Sequence, residues 1–422
     1  MRFRLWLLLS LLASGTVCLY MSRILLPWEH HVNVESGKLK AEMGDLYPRW
    51  VGTRELLLHR RNPYGPEVSH EIQMAFYGHA VDQKYGQPGV VLIDEQRFVY
   101  PVYVVFLLAP SVYLQFWQLQ VWASIIFAIL TAVSVILWME VLRWRPPKAL
   151  VLAIVLFVLS TPQVVQGLRL RQLGLLVAFL LALSAWCIVR NHLAIAGIFL
   201  AISTIKPQMA VLPLAWFLFW AASAWVRRWS LLAGFAVTLA ALTGLGELIL
   251  PGWPRYFVDG LIAYRQYVPA YPLLSIALGD RLGEVFSGMV IVGLLVLAWR
   301  NRQGDADSPR FTQTLSAFFL GATFALPLLT SFNQVLLLLP AMMVVRNWPS
   351  LSRLGRRVFA AVVAWPWIVS LVLLVMFHRG VDSSSRIPLL PSVMTLFVPF
   401  LLFLLLATRL VLSSERVDVR LP

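Results

Sequence analysis

Residues 117–145 read WQLQVWASIIFAILTAVSVILWMEVLRWR. The apolar run from 117 to 141 exceeds the roughly 20 residues a helix needs to cross a bilayer. Arg143, Arg145 and Lys148 close it with positive charge. This is the pattern of a membrane span ending in a basic stop, and the rest of the chain repeats it. Over 422 residues, 59% are hydrophobic and 13% charged, with a mean hydropathy of +0.75. Such a composition excludes a soluble globule and a disordered chain, and it identifies an all-α polytopic membrane protein.

The same reading finds candidate spans at 5–26, 149–165, 172–189, 193–206, 208–226, 229–250, 284–299, 311–327, 331–345, 357–377 and 389–411, making about twelve with 117–141. Leu5 to Leu26 follows Arg2 and Arg4 but lacks a small-x-small cleavage site, so it reads as a retained first span rather than a secretion signal. The net charge of +15 would suggest nucleic acid for a soluble protein. Here the bases gather in connectors, Arg143/Arg145/Lys148, Arg190, Arg227/Arg228, Arg300/Arg302 and Arg346 to Arg357, which fall on one side of the twelve spans. No nucleic-acid partner is expected. The positive-inside rule makes that side cytoplasmic, with both termini there and the bacterial plasma membrane as the expected location. Cys18 and Cys187 lie in apolar segments and support neither a disulfide framework nor a thiolate metal site.

Two outward-facing regions follow from this topology, residues 28–97 and the loop 251–283. The first holds ten of the twenty carboxylates and five of the seven histidines. The apolar segment 98–112 then has to begin and end on the outer side, so a re-entrant or half-membrane element is expected there. Within 28–97, Asp45 precedes an early proline and an apolar stripe through Trp50, Thr53, Leu56 and Leu57, the pattern of a short amphipathic helix at the bilayer surface. Arg60-Arg61-Asn62-Pro63-Tyr64-Gly65-Pro66 reads as a structured turn, and a second short helix is expected from Glu71 to Tyr77.

Charged residues at apolar boundaries are candidates for chemistry. Lys206, in Ile205-Lys206-Pro207-Gln208, sits at the outer junction of two spans. It either snorkels to the headgroups or supplies a point charge to a lipid-linked phosphate, aided by Gln208 and the backbone freed at Pro207. Asp45 is either a helix cap or a general base that takes a proton from a sugar hydroxyl. Glu42, Glu67, Glu71, Asp94 and Glu95 compete with it on spacing alone. Arg169 and Arg171 are outward-facing bases suited either to phosphate or to headgroup anchoring, and Arg255 to Tyr271 is either an aromatic and arginine anchor or an acceptor surface. The five histidines of the first loop, His30, His31, His59, His70 and His79, have no metal-ligand spacing.

The motifs Asp45-Leu46-Tyr47, Asn62-Pro63-Tyr64, Phe98-Val99-Tyr100-Pro101, Lys206-Pro207-Gln208 and Ser331-Phe332-Asn333-Gln334 together resemble the GT-C glycosyltransferases of family 87. This group includes the polyprenyl-phosphate-mannose-dependent α-mannosyltransferases of actinobacteria. The resemblance spans nearly the whole chain in order. It implies a GT-C-like fold and an inverting hexosyltransferase, with mannose the first choice of sugar. The donor would be a polyprenyl-phosphate sugar and the acceptor an extracytoplasmic glycolipid or glycan. Mapped on this chain, it implies Asp45 as base and Lys206, with Gln208 and Arg169, Arg171 or Arg265, as the donor-phosphate site. Tyr47, Arg49, Asn62, Tyr64, Tyr100, Asn333 and Gln334 would line the substrate cavity. The chain departs from the family pattern at Tyr100-Pro101-Val102, where a second proline is common, and at Arg171-Gln172-Leu173-Gly174, where a Gly-Gln pair is common.

No cofactor is called for by this chemistry. Divalent-metal dependence stays open because other GT-C enzymes use a metal. The first outer loop has no Asp-x-Asp, and Asp305-Ala306-Asp307 falls in a cytoplasmic connector. Two other classes fit a polytopic chain, a lipid or sugar transporter and a noncatalytic assembly protein. The transporter would more usually show inverted repeats and a short first loop, and the assembly protein gives no reason for Asp45 and Lys206 to share one side.

Overall fold

The computed structural model describes residues 2–20, 43–81, 95–266, 271–328 and 330–378, with a few isolated positions elsewhere. The described residues are all-α. In chain order the helices are α1 (Arg2–Tyr20), α2 (Leu46–His59), α3 (Pro66–Tyr77), α4 (Val104–Leu108), α5 (Phe116–Val141), α6 (Lys148–Leu159), α7 (Pro162–Arg169), α8 (Leu173–Val189), α9 (Leu193–Ser203), α10 (Pro207–Ala222), α11 (Trp225–Ile249), α12 (Trp253–Arg265), α13 (Leu273–Leu278), α14 (Asp280–Asn301), α15 (Pro309–Ala325), α16 (Leu338–Arg346) and α17 (Arg353–His378). A 3-10 helix at Ser331–Leu337 leads into α16.

Three of these, α5, α11 and α14, are each long and apolar enough to cross a membrane, and α6 with α7 forms a fourth candidate bent by 58°. The bend has a local cause. Pro162 is tolerated at the first position of α7, where its missing N–H costs nothing, but α6 has to stop before it. The run expected as one continuous span over 149–165 is therefore two pieces. The run expected over 331–345 likewise starts as a 3-10 turn rather than a regular helix. The span expected at 389–411, the end of 5–26, and Glu42 and Asp94 lie largely or wholly outside the described residues.

The centre of the molecule is α8, whose Val177, Leu181, Ala182 and Ala185 are almost fully enclosed by α5, α9 and α10. A helix apolar on all sides is stable only when surrounded in this way. On its flank α9 and α11 approach at Gly197 and Gly234, where an added Cβ would come within 2.2 Å of the Leu231 oxygen and 2.3 Å of the Ala194 oxygen. Such small residues let two backbones meet without side chains between them, the packing favoured inside lipid.

The segment 98–112 is mostly buried and holds only α4 and one 3-10 turn. Its fixing points are polar: the Tyr103 hydroxyl lies 2.8 Å from Thr204 Oγ1, and Trp50 donates from its indole to the Ser111 oxygen at 3.0 Å. The first loop is therefore tied to the helical body through this segment. The second expected helix of that loop exists but starts at Pro66, five residues before Glu71, because Gly65 and Pro66 start it together.

The long helices give the molecule two ends. At one end the start of α5 meets α2 through the Tyr47–Phe116 ring contact, and α12 meets the start of α4 and the turn before α3 through Tyr103–Trp253 and Tyr64–Phe257. At the other ends, Arg143 pairs with Asp307 at 2.5 Å, Arg190 with Glu140 at 2.7 Å, and Arg228 donates to the oxygens of Trp220, Arg302 and Gly304. These contacts bring four of the basic connectors together at one end.

Candidate active site

The site is built from four chain segments that meet at the end of the molecule carrying the first loop. Asp45 occupies the N-cap position of α2, yet its side chain makes no capping bond. Its backbone N–H donates to the Leu170 oxygen at 3.0 Å, which holds it against the α7–α8 turn. Gly44 makes that approach feasible: its φ is +63°, and a Cβ would stand 2.8 Å from the Leu170 oxygen. Only glycine adopts such a backbone readily. The carboxylate is then within reach of Gln172, whose amide Nε2 donates to Asp45 Oδ2.

Gln172 occupies the N-cap position of α8, makes no side-chain capping bond and is almost fully buried. Its other amide atom, Oε1, accepts from the Lys206 ammonium at 3.0 Å. Lys206 also donates to Asn333 Oδ1 at 2.9 Å and lies 4.9 Å from the centre of the Phe332 ring. It is only 3% exposed. A lysine that snorkels would send its amine outward; this one turns inward to two side-chain amides. Burying an ammonium is costly unless it is hydrogen-bonded and balanced by opposite charge, and here one amide couples it to a carboxylate. Gly174 supplies the room, because a Cβ there would be 3.1 Å from the amine and 3.0 Å from Met209 Sδ. Pro207 opens α10 directly behind Lys206.

Asn333 and Gln334 lie on the 3-10 helix, both buried. Gln163 of α7 donates to Gln334 at 3.2 Å, so the short tilted half of the broken span holds this helix in place. Arg49, one turn along α2, donates to the Asp45 backbone oxygen at 2.8 Å and places its guanidinium 4.7 Å over the Tyr100 ring. Tyr64 donates to the Tyr100 oxygen at 2.5 Å. Burial, reinforced by Tyr103, pushes the Tyr64 phenol above its ordinary 10.0, so it acts as a neutral donor. Asn62 accepts from the Tyr64 N–H at 3.0 Å, closing the turn. Tyr47 packs edge-on to Phe116 at 4.9 Å.

The structure thus brings Asp45, Lys206 and Asn333 into one hydrogen-bonded chain, with Arg49, Tyr64 and Tyr100 beside it and Gln334 behind. Arg169 and Arg171 border it on the α7–α8 turn, where Arg171 takes a left-handed φ of 51° and donates to the Arg169 oxygen at 2.6 Å. Two expected members stand apart: Gln208 is exposed on the first turn of α10, and Arg265 is exposed at the end of α12 without a hydrogen bond or ion pair among the described residues. Of the competing acids of the first loop, the three among the described residues are otherwise engaged. Glu67 and Glu71 pair with Arg61, and Glu95, buried, is held by Arg97 and Gln73. Gln172 is the residue that sequence reasoning did not place. Its signals were a polar side chain at the first position of an otherwise apolar run and its place in Arg171-Gln172-Leu173-Gly174, where the family pattern carries a Gly-Gln pair. Among the described residues no group of three or more His, Cys, Asp and Glu gathers as metal ligands would.

Comparison with known proteins gives one match. The model of the family described as Glycosyltransferase family 87 matches residues 98–331, more than half of the chain. That stretch includes Gln172 and Lys206, whereas Asp45 and Asn333 lie outside it. No curated protein and no solved structure matches.

Proposed function

This chain belongs to glycosyltransferase family 87, and we propose that it is an inverting, membrane-embedded hexosyltransferase using a polyprenyl-phosphate sugar. The observation that carries the proposal is the Asp45–Gln172–Lys206 chain, a carboxylate and an ammonium held a single amide apart at the same end of the helices. Both charges are needed in one displacement. Asp45 takes the proton of the acceptor hydroxyl as its oxygen bonds to the anomeric carbon. The bond from that carbon to the phosphate oxygen breaks, and the departing lipid phosphate carries the charge away. Lys206, bordered by Arg169 and Arg171, meets the developing anion. Gln208 and Arg265 enter this reading as outer contacts to the donor headgroup. The isoprenoid tail stays in lipid beside the helices, and the acceptor, a glycolipid or glycan, enters past Tyr47, Arg49, Asn62, Tyr64 and Tyr100. With about twelve spans and a re-entrant 98–112, the reaction lies on the extracytoplasmic side of a bacterial plasma membrane, both termini being cytoplasmic. Mannose is the sugar we place first.

Transfer of radiolabelled sugar from a defined polyprenyl-phosphate donor to membrane acceptors tests the assignment. Asp45→Asn should lower turnover by about a hundredfold to ten-thousandfold, the usual range for a positioned base. Lys206→Ala should cost about a hundredfold or more, as for loss of a charge-stabilising group. Unchanged turnover in Asp45→Asn would reject the base, and unchanged turnover in Lys206→Ala would reject the phosphate role.

A further inference from the structure

The ends of α5 and α8 farthest from Asp45 enclose a second feature that sugar transfer does not use. A cavity of about 430 Å³ is lined there by Met139, Glu140, Arg143, Arg145, Val189 and Arg190. The 17 residues of α8 put it about 25 Å from Gln172 at 1.5 Å per residue. Three guanidinium groups face one carboxylate in this lining. Arg143 takes a left-handed φ of 50°, which ends α5 and turns the chain so that Arg143 and Arg145 border the cleft from one side while Arg190 borders it from the other.

We propose that this cleft binds the phosphate headgroup of an anionic phospholipid. Three observations carry it. First, Arg143 and Arg190 form ion pairs whose partners are exchangeable. Arg190 pairs with Glu140 with side chains 53% and 39% exposed, and Arg143 with Asp307 at 62% and 49%; pairs this open to water contribute little. A phosphate offers each guanidinium a stronger, two-pronged bond. Second, Arg145 is exposed and has no hydrogen bond or ion pair among the described residues, so one positive charge is left over for a ligand.

Third, the face of α5 that carries Glu140 also carries exposed apolar side chains. Ile129 and Ile136 of α5 are 56% and 47% exposed. Ile129 precedes Ile136 by two helical turns and Ile136 precedes Glu140 by one, so these three share one face of α5. Ile129 to Glu140 spans about 16 Å, the depth of one hydrocarbon leaflet. An acyl chain lying on this face sets its headgroup phosphate among the three arginines, which a freely soluble anion has no reason to require. Basic pockets between helix ends are where anionic headgroups are recognised. The bound lipid would tie α5 to α8, the central helix.

The test uses the full chain purified from nanodiscs of phosphatidylcholine containing phosphatidylglycerol, with retained lipid read by native mass spectrometry. Wild type should retain phosphatidylglycerol over phosphatidylcholine by roughly tenfold, equivalent to about one charge-assisted contact. Arg145→Gln with Arg190→Gln should abolish the preference, and Arg281→Gln, an exposed arginine at the other end, should keep it. Arg145→Gln alone breaks no ion pair and should weaken the preference even if the double variant fails to fold. Equal retention of the two lipids by wild type, or a preference unchanged in both Arg145 variants, overturns the proposal. Thermal stabilisation by inorganic phosphate in detergent, lost in the double variant and without any phosphatidylglycerol retention, overturns it in favour of a soluble anion.

Discussion

Gln172 is the residue on which the proposed chemistry turns, because its side-chain amide bonds to both Asp45 and Lys206. A neutral amide in this position does two things that a direct ion pair would not. It keeps the two opposite charges close enough to compensate each other, and it leaves each free to separate when a substrate enters. Gln172→Leu should therefore retain the fold and lower turnover about tenfold to a hundredfold with a smaller change in KM, since positioning rather than binding is lost. An unchanged turnover number would show the bridge to be incidental. Asp45 and Lys206 were legible in the sequence because a charge at the edge of an apolar run stands out by its cost. Gln172 was not, because an uncharged amide beginning a span carries no such cost and reads like any helix start.

Among the elements, the decisive ones are short. Turn 169–172, α7 and the 3-10 helix at Ser331–Leu337 together hold every partner that Lys206 acquires, yet none is long enough to announce itself by periodicity. The sequence pattern located α8 to α11 and α14 to within a few residues, because their apolar runs extend over whole turns, but it read 251–283 as a loop and did not foresee α12 and α13 within it. It missed the break between α6 and α7, where the short polar interruption Ser160-Thr161-Pro162-Gln163 was read through as part of one span although the proline marks the stop. The close approach of Gly44 to the Leu170 oxygen shows how tightly the first loop is clamped onto this turn. Gly44→Ala should force both a strained φ and a clash, destabilising the protein by more than about 1 kcal/mol. It should also draw Asp45 away from Gln172. A thermal-unfolding shift accompanied by a fall in sugar transfer is the expected outcome, and full activity with unaltered melting would contradict the clamp.

At the scale of the molecule, the two ends differ in chemistry. One end collects aromatic rings, tyrosine hydroxyls and the buried Asp45–Lys206 chain; the other collects Arg143, Arg190, Arg228 and their partners. This asymmetry follows from the sequence, where connector charge was visible before any contact was, and it supports an orientation with the arginine end in the cytoplasm. Cysteine labelling checks it in a background carrying Cys18→Ala and Cys187→Ala. Glu67→Cys, whose native side chain is 83% exposed, should react with a membrane-impermeant maleimide in intact spheroplasts. Asp305→Cys should react only after permeabilisation, and the reverse pattern would invert the topology. What the sequence left illegible at this scale is the convergence of distant segments, since the contacts of Lys206 link residues 172, 206 and 333 and no local pattern encodes such spacing.

That convergence also fixes a timetable. The chain is synthesised from its N-terminus, so Asp45, Gln172 and Lys206 are all made and inserted well before Asn333 leaves the ribosome. Until then the lysine lacks one of its two amide partners. A nascent or truncated chain ending short of residue 333 can therefore be membrane-inserted and nearly complete in helices while still lacking a finished site. On the proposed assignment, competence for sugar transfer waits until Asn333 reaches Lys206.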